Sequence, residues 1–154
     1  MIRVQAEPFD MGEELSDFGE GNHGIGGICA FMGLVRDMAG DASVSAMTLE
    51  HYPGMTEKAL EKIEAEAHDR WSLEKTLIIH RYGRLEAGDP IVLVVAASAH
   101  RAAAFDACHF LIDWLKTQAP FWKLEETNDG PQWVEARSSD DAAAARWGGG
   151  SKGS

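Results

Sequence analysis

The sequence predicts an α+β domain with a mixed or antiparallel sheet and two long helices. Three observations carry this. Strand-like segments are interspersed with two long helical segments, 55–71 and 101–117. A late turn, Asn128-Asp129-Gly130, sits between two strand-like runs and has hairpin chemistry. Only one pair of strands is joined by a helix, so a doubly wound sheet is not expected.

Taken in order, residues 2–7 form a short strand. Pro8-Phe9-Asp10 then leads into a short helix over 11–18, where Asp10 and Glu13 have capping-box spacing. Residues 19–27 are a glycine-rich loop. A strand follows over 25–35, with Ile28, Ala30 and Met32 on one face. The polar stretch 37–41 is read as a turn or a mobile loop, and 44–52 alternates as a second strand. Pro53-Gly54 breaks it. The helix over 55–71 places Leu60, Ile63 and Ala67 on one stripe, with its charges elsewhere. Strands over 75–85 and 90–97 flank Ala87-Gly88-Asp89, and the second is continuously apolar, as a central strand should be. The helix over 101–117 follows. In it Phe105, Cys108, Phe110, Leu111, Ile112, Trp114 and Leu115 read as core. Strands over 121–127 and 132–136 and a short helix over 140–147 complete one domain, residues 1–147. Residues 148–154 read as a flexible glycine-rich tail.

Composition excludes several function classes. A net charge of -11 argues against nucleic acid, because phosphate backbones need a basic footprint. No apolar run approaches the ~20 residues of a membrane span, and the N-terminus lacks a secretory layout, which points to the cytoplasm. Cys29 and Cys108 read as buried thiols of a reducing compartment. The histidines are dispersed, so no metal site is expected. Neither a dinucleotide fingerprint nor a phosphate loop is present, so no cofactor is expected.

In so acidic a chain the cations stand out. Ser98-Ala99-His100-Arg101 follows a buried strand and opens a helix, an arrangement that binds phosphate or carboxylate. The alternative is a Ser98 cap with a solvated arginine, and the two readings stand level. Lys116 falls within about 20° of Phe105 on a helical projection, closing the apolar stripe. Its amine is then either partly desolvated and reactive or snorkels to water. Lys123 follows Pro120, between Trp122 and the start of the hairpin. Arg36 and Arg137 each end a strand-like run, where a surface role is the commoner one.

The chain resembles the large, catalytic subunit of molybdopterin synthase. The resemblance rests on Phe31-x-Gly33-x-Val35-Arg36, on Leu49-Glu50-His51-Tyr52-Pro53-Gly54-Met55 and on Ile79-His80-Arg81-x-Gly83. Ser98-Ala99-His100-Arg101, Leu115-Lys116-Thr117-x-Ala119-Pro120-Phe121-Trp122-Lys123 and Trp133-Val134-Glu135-Ala136-Arg137 complete it.

That resemblance implies a domain of the α/β-hammerhead type. It implies a sulfurtransferase that moves two sulfurs into cyclic pyranopterin monophosphate to make the molybdopterin dithiolene. The sulfur donor would be the thiocarboxylated C-terminal glycine of a small ubiquitin-like subunit. The large subunits would form a homodimer with one small subunit at each end, a heterotetramer overall. By the same resemblance Lys116 and Lys123 are catalytic. Phe31, Arg36, His100 and Arg101 line the substrate pocket, Arg137 reaches it from the other protomer, and Glu125 helps position the lysines. Leu34 departs from the pattern, standing where some relatives carry a lysine. The rival readings are a non-catalytic module that docks a partner's C-terminal tail and a phosphate-ester enzyme using the same cations.

Overall fold

The computed structural model describes residues 1–36, 38–39, 42–127, 130–134 and 147, with side chains described at 1–36, 46–123 and 147. Its elements are β1 (Ile2–Gln5), α1 (Met11–Phe18), β2 (Gly27–Leu34), β3 (Met38–Ala39), β4 (Ala42–His51), α2 (Met55–Arg70), β5 (Lys75–Arg81), β6 (Gly83–Glu86), β7 (Pro90–Ser98), α3 (Arg101–Thr117), β8 (Phe121–Thr127) and β9 (Gly130–Val134). The α+β class holds.

Two sheets share these strands. The first has the order β1-β5-β7-β2, with β1 parallel to β5 and the other pairs antiparallel. The continuously apolar β7 lies inside it, flanked by β5 and β2, and Ile91 to Ser98 are all buried. Because side chains alternate across a strand, β7 feeds two cores. Val92, Val94 and Ala96 meet α2 and α3 on one face. Leu93, Val95 and Ala97 meet Phe18 of α1 on the other, where Ala30 and Met32 also pack.

The second sheet has the order β3-β4-β8-β9, and β6 also pairs with β4. The run over 75–85, expected as one strand, is in fact two. Gly83 takes φ 89°, a conformation in which a side chain is strained, and there the chain leaves the first sheet for the second. The expected turn over 37–41 contains the two-residue β3, paired with Ala42 and Ser43.

Local signals explain the helix limits. Asp10 caps α1 by accepting from the Glu13 N–H at 2.9 Å. Gly54, at φ 85°, precedes α2, and Glu57 accepts from its N–H at 2.6 Å. The helix expected over 140–147 lies outside the described residues except for Trp147. That indole donates to Asp113 Oδ2 at 2.7 Å and packs edge-on against Trp71 and Phe110.

One core assignment fails. Phe105 is 60% exposed. The buried face of α3 carries Ala104, Ala107, Cys108, Leu111 and Leu115, and Phe105 points away from the sheet. Trp114 is half-buried.

Candidate active site

β7 delivers the chain to α3, which packs back along the same sheet. Ser98 is buried, and its hydroxyl donates to Ser72 O at 2.8 Å and accepts weakly from His100 N–H at 3.4 Å. His100, not Ser98, is the N-cap residue, and no side chain caps the helix. The first turn carries no acidic residue. His100 and Arg101 are both exposed. Uncapped N–H groups beside an arginine and a histidine favour the anion-binding reading of this stretch.

The glycines of residues 24–27 belong to the same corner. Gly26 N–H donates to Ser98 O at 2.9 Å, and a Cβ on Gly26 would lie 2.0 Å from Ala99 O. Gly27 passes Arg101 at ordinary contact distance. Only a bare backbone fits at Gly26. The sequence did not disclose this packing role.

At the far end of α3 the lysines gather. Lys116 is exposed, and its angular neighbour explains why: it shares the face of Phe105, which points to solvent. The snorkelling alternative therefore describes the single chain. Lys123 is half-buried on β8, opposite Leu49 of β4. Beneath both lies His80, buried on β5. Its Nδ1–H donates to Arg81 O at 2.8 Å, and its ring stacks on Phe121 with centroids 3.8 Å apart. Burial first, then the positive charges of Lys116 and Lys123 and the neighbouring His51, hold this imidazole down at about 4, against the carbonyl hydrogen bond that favours protonation. His80 is thus neutral at physiological pH.

A pH dependence follows. Folding keeps His80 neutral down to about 4, whereas the unfolded chain protonates it near the ordinary histidine value of 6.5. The unfolded state then binds more protons between those values, so stability falls as pH drops from about 6.5 toward 4. The full loss is about 3 kcal/mol. Urea unfolding at pH 7 and pH 4.5 should show it in the wild type and show a smaller loss in His80→Phe.

Phe31 is 40% exposed midway along α3, its backbone beside the Cys108 thiol. Burial and the adjacent Cys29 push that thiol up, and it donates to Val94 O at 3.7 Å, so Cys108 is core and not a nucleophile. Arg36 is exposed just past β2, at the end of the sheet where β7 begins. Glu125 pairs through its backbone with Met47 and Gln132, and its side chain lies outside the described residues. Arg137 lies outside them altogether.

One chain does not bring the remaining site residues together. Arg101 and Lys116 stand at opposite ends of α3, roughly 22 Å apart at 1.5 Å per residue. Arg36 and Lys116 lie toward the end of the first sheet where β7 begins, Lys123 stands on β8 of the second sheet, and His100 and Arg101 lie where β7 ends. Within one chain the two motifs that carry these cations thus lie at the two ends of α3.

Sequence reading missed His80 and His51 as neighbours of the lysines. The His80 and His51 motifs were visible, but strand pairing across two sheets joins them, and no spacing encodes that.

Comparisons with known proteins bear on this geometry. The family model described as MoaE protein matches residues 4–118. The chain is similar to the molybdopterin synthase catalytic subunit of Pseudomonas aeruginosa, 60% identical over 146 residues that cover 95% of this chain and 97% of the relative. Among solved structures it is similar to the molybdopterin biosynthesis MoaE protein from Burkholderia ambifaria. There the TM-score is 0.82 at 53% identity, covering 96% of this chain and 97% of that one. A chain in the complex of subunits 1 and 2 of molybdopterin-converting factor from Helicobacter pylori shares the fold, with a TM-score of 0.73 at 22% identity and coverage of 89% and 92%. The match along most of its length, in sequence and in fold, shows that this chain belongs to the MoaE family.

Proposed function

We propose that this chain is the catalytic subunit of a molybdopterin synthase, a sulfurtransferase of molybdenum cofactor biosynthesis that works in the cytoplasm. It moves two sulfurs from the thiocarboxylated C-terminus of a small ubiquitin-like subunit into cyclic pyranopterin monophosphate. The observation that carries this is the gathering of Lys116 and Lys123 at one end of α3, both acting on the buried His80. Two ammoniums there suit an incoming thiocarboxylate and can supply protons as sulfur adds and the acyl group departs. The uncapped start of α3 with His100 and Arg101 suits the substrate's phosphate. No helix among the described residues is long and apolar enough to cross a membrane. The two-subunit complex of the Helicobacter pylori protein agrees with a carrier partner.

The separation along α3 gives the homodimer a chemical purpose. A second protomer can set its His100 and Arg101 beside the first protomer's lysines, and Arg137 would reach across in the same way. Glu125, Phe31 and Arg36 complete the pocket on this reading.

The experiment mixes the protein with thiocarboxylated carrier and cyclic pterin and follows dithiolene product. Carrier binding without product from wild type would instead favour a docking module. The shared site has its own test. Arg101→Ala and Lys116→Ala proteins, each inactive, are mixed equally and allowed to exchange subunits. Half the dimers are then mixed and each retains one intact site of two, so about a quarter of wild-type turnover should return. No recovery despite exchange would mean that each site draws both groups from a single protomer, overturning the shared site.

A further inference from the structure

The two lysines stand on different elements, Lys116 in the last turn of α3 and Lys123 on β8, joined by a three-residue turn of Gln118, Ala119 and Pro120. Something must fix that turn, and the ring of Phe121 is where the fixing occurs. Phe121 N–H donates back to Ala119 O at 2.7 Å, and Gln118 N–H to Trp114 O at 2.8 Å. The ring lies nearly parallel to His80, at 14° between planes. His51, its register partner on β4, approaches at 6.1 Å and itself meets Tyr82 at 4.5 Å. Residues 121 and 123 share one face of β8, since side chains alternate along a strand. The ring that His80 grips thus lies on the same face as Lys123, two residues away.

We propose that the His51–Phe121–His80 cluster, with Phe121 stacked on His80, is a positioning device for the two lysines, setting where Lys116 and Lys123 stand relative to one another. This rests on the lysine roles proposed above. It adds residues that touch neither substrate nor carrier on that reading and act through Phe121.

Two further features fit a positioning role better than simple filling. Among the described residues, the buried His51 Nδ1 has no hydrogen-bond partner, a cost that a leucine in the same place would avoid. His80 faces Lys116 from α3, Lys123 from β8 and His51 from β4, and its Nδ1–H is committed to Arg81 O. Its neutral ring therefore supports the turn without adding a third cation beneath the ammoniums.

The test compares Phe121→Leu, His80→Leu and His80→Phe in single-turnover and steady-state assays with thiocarboxylated carrier and cyclic pterin, beside Lys116→Ala. Loss of ring stacking should lower kcat about 100-fold, the scale of a misplacement near 1 Å, while KM for the pterin shifts less than about threefold. His80→Phe restores a stackable neutral ring and should recover most of the loss seen in His80→Leu. Phe121 is only half-buried, so Phe121→Leu keeps the test open if His80→Leu fails to fold. Wild-type kcat in folded Phe121→Leu, with Lys116→Ala inactive, overturns the clamp alone. Equal kcat in His80→Leu and His80→Phe overturns the role of the stacked ring. Full turnover in Lys116→Ala overturns the lysine reading instead.

Discussion

Lys116→Ala is expected to lower turnover by roughly 10²- to 10⁴-fold, the range associated with a lost general acid or base. The side chain is exposed, so its removal leaves no cavity and the melting temperature should barely move. Carrier binding should persist, because an extended tail draws most of its affinity from backbone and apolar contacts. The loss would therefore fall on kcat. Lys116→Arg separates two roles of the amine. Arginine keeps the positive charge but holds its proton across the working pH range. If proton transfer is what Lys116 provides, the arginine variant should be nearly as slow as the alanine one. Recovery in Lys116→Arg would show that charge alone is needed. Dithiolene formation, measured together with carrier pull-down, reads both variants, and full turnover in Lys116→Ala would sink the assignment.

Gly26→Ala should be the most damaging added methyl among the described glycines. The added Cβ would meet Ala99 O at 2.0 Å, and a backbone carbonyl cannot rotate away as a long side chain would. The φ of Gly26 is not positive, so the cost is steric and not torsional. Either the Gly26 N–H bond to Ser98 O opens or the start of α3 shifts. Destabilisation of about 3 kcal/mol is expected, at the upper end for overpacking. Gly27→Ala is the control, since its Cβ would find nothing closer than Arg101 Cα at 3.6 Å. That change should stay within about 1 kcal/mol. Urea unfolding of both proteins checks the difference. Equal midpoints would mean that the corner adapts more readily than its geometry implies. A shifted α3 start should also weaken sulfate binding near Arg101 in folded Gly26→Ala.

How much of this was legible in the sequence varies by element. Periodicity disclosed α2, α3 and the interior β7, because their apolar spacing records which face is buried. It misjudged Phe105, since a helical projection gives angles but not the width of the contact with the sheet. Lys116 followed that error: placed beside Phe105, it was read as bordering the core, and both residues face outward. The break at Gly83 was invisible because a glycine inside a strand-like run reads the same whether or not the chain turns there. The lysines and the helix-start cations came from recognisable motifs. Their division between the two ends of α3 was equally legible, because a helix of this length holds its ends about 22 Å apart however it packs. The histidine cluster was least legible of all, being assembled from β4, β5 and β8, which only long-range pairing unites.

The length of α3 has a consequence of its own. If two protomers complete one pocket, the helix is a ruler whose graduations are its turns. Adding or deleting one turn would leave every cation chemically intact, yet slide the anion-binding end about 5.4 Å from its counterpart. Drift in this protein's relatives would then be tolerated in the identity of α3's outward residues and penalised in its residue count. A length change there would be felt as a pocket that no longer closes.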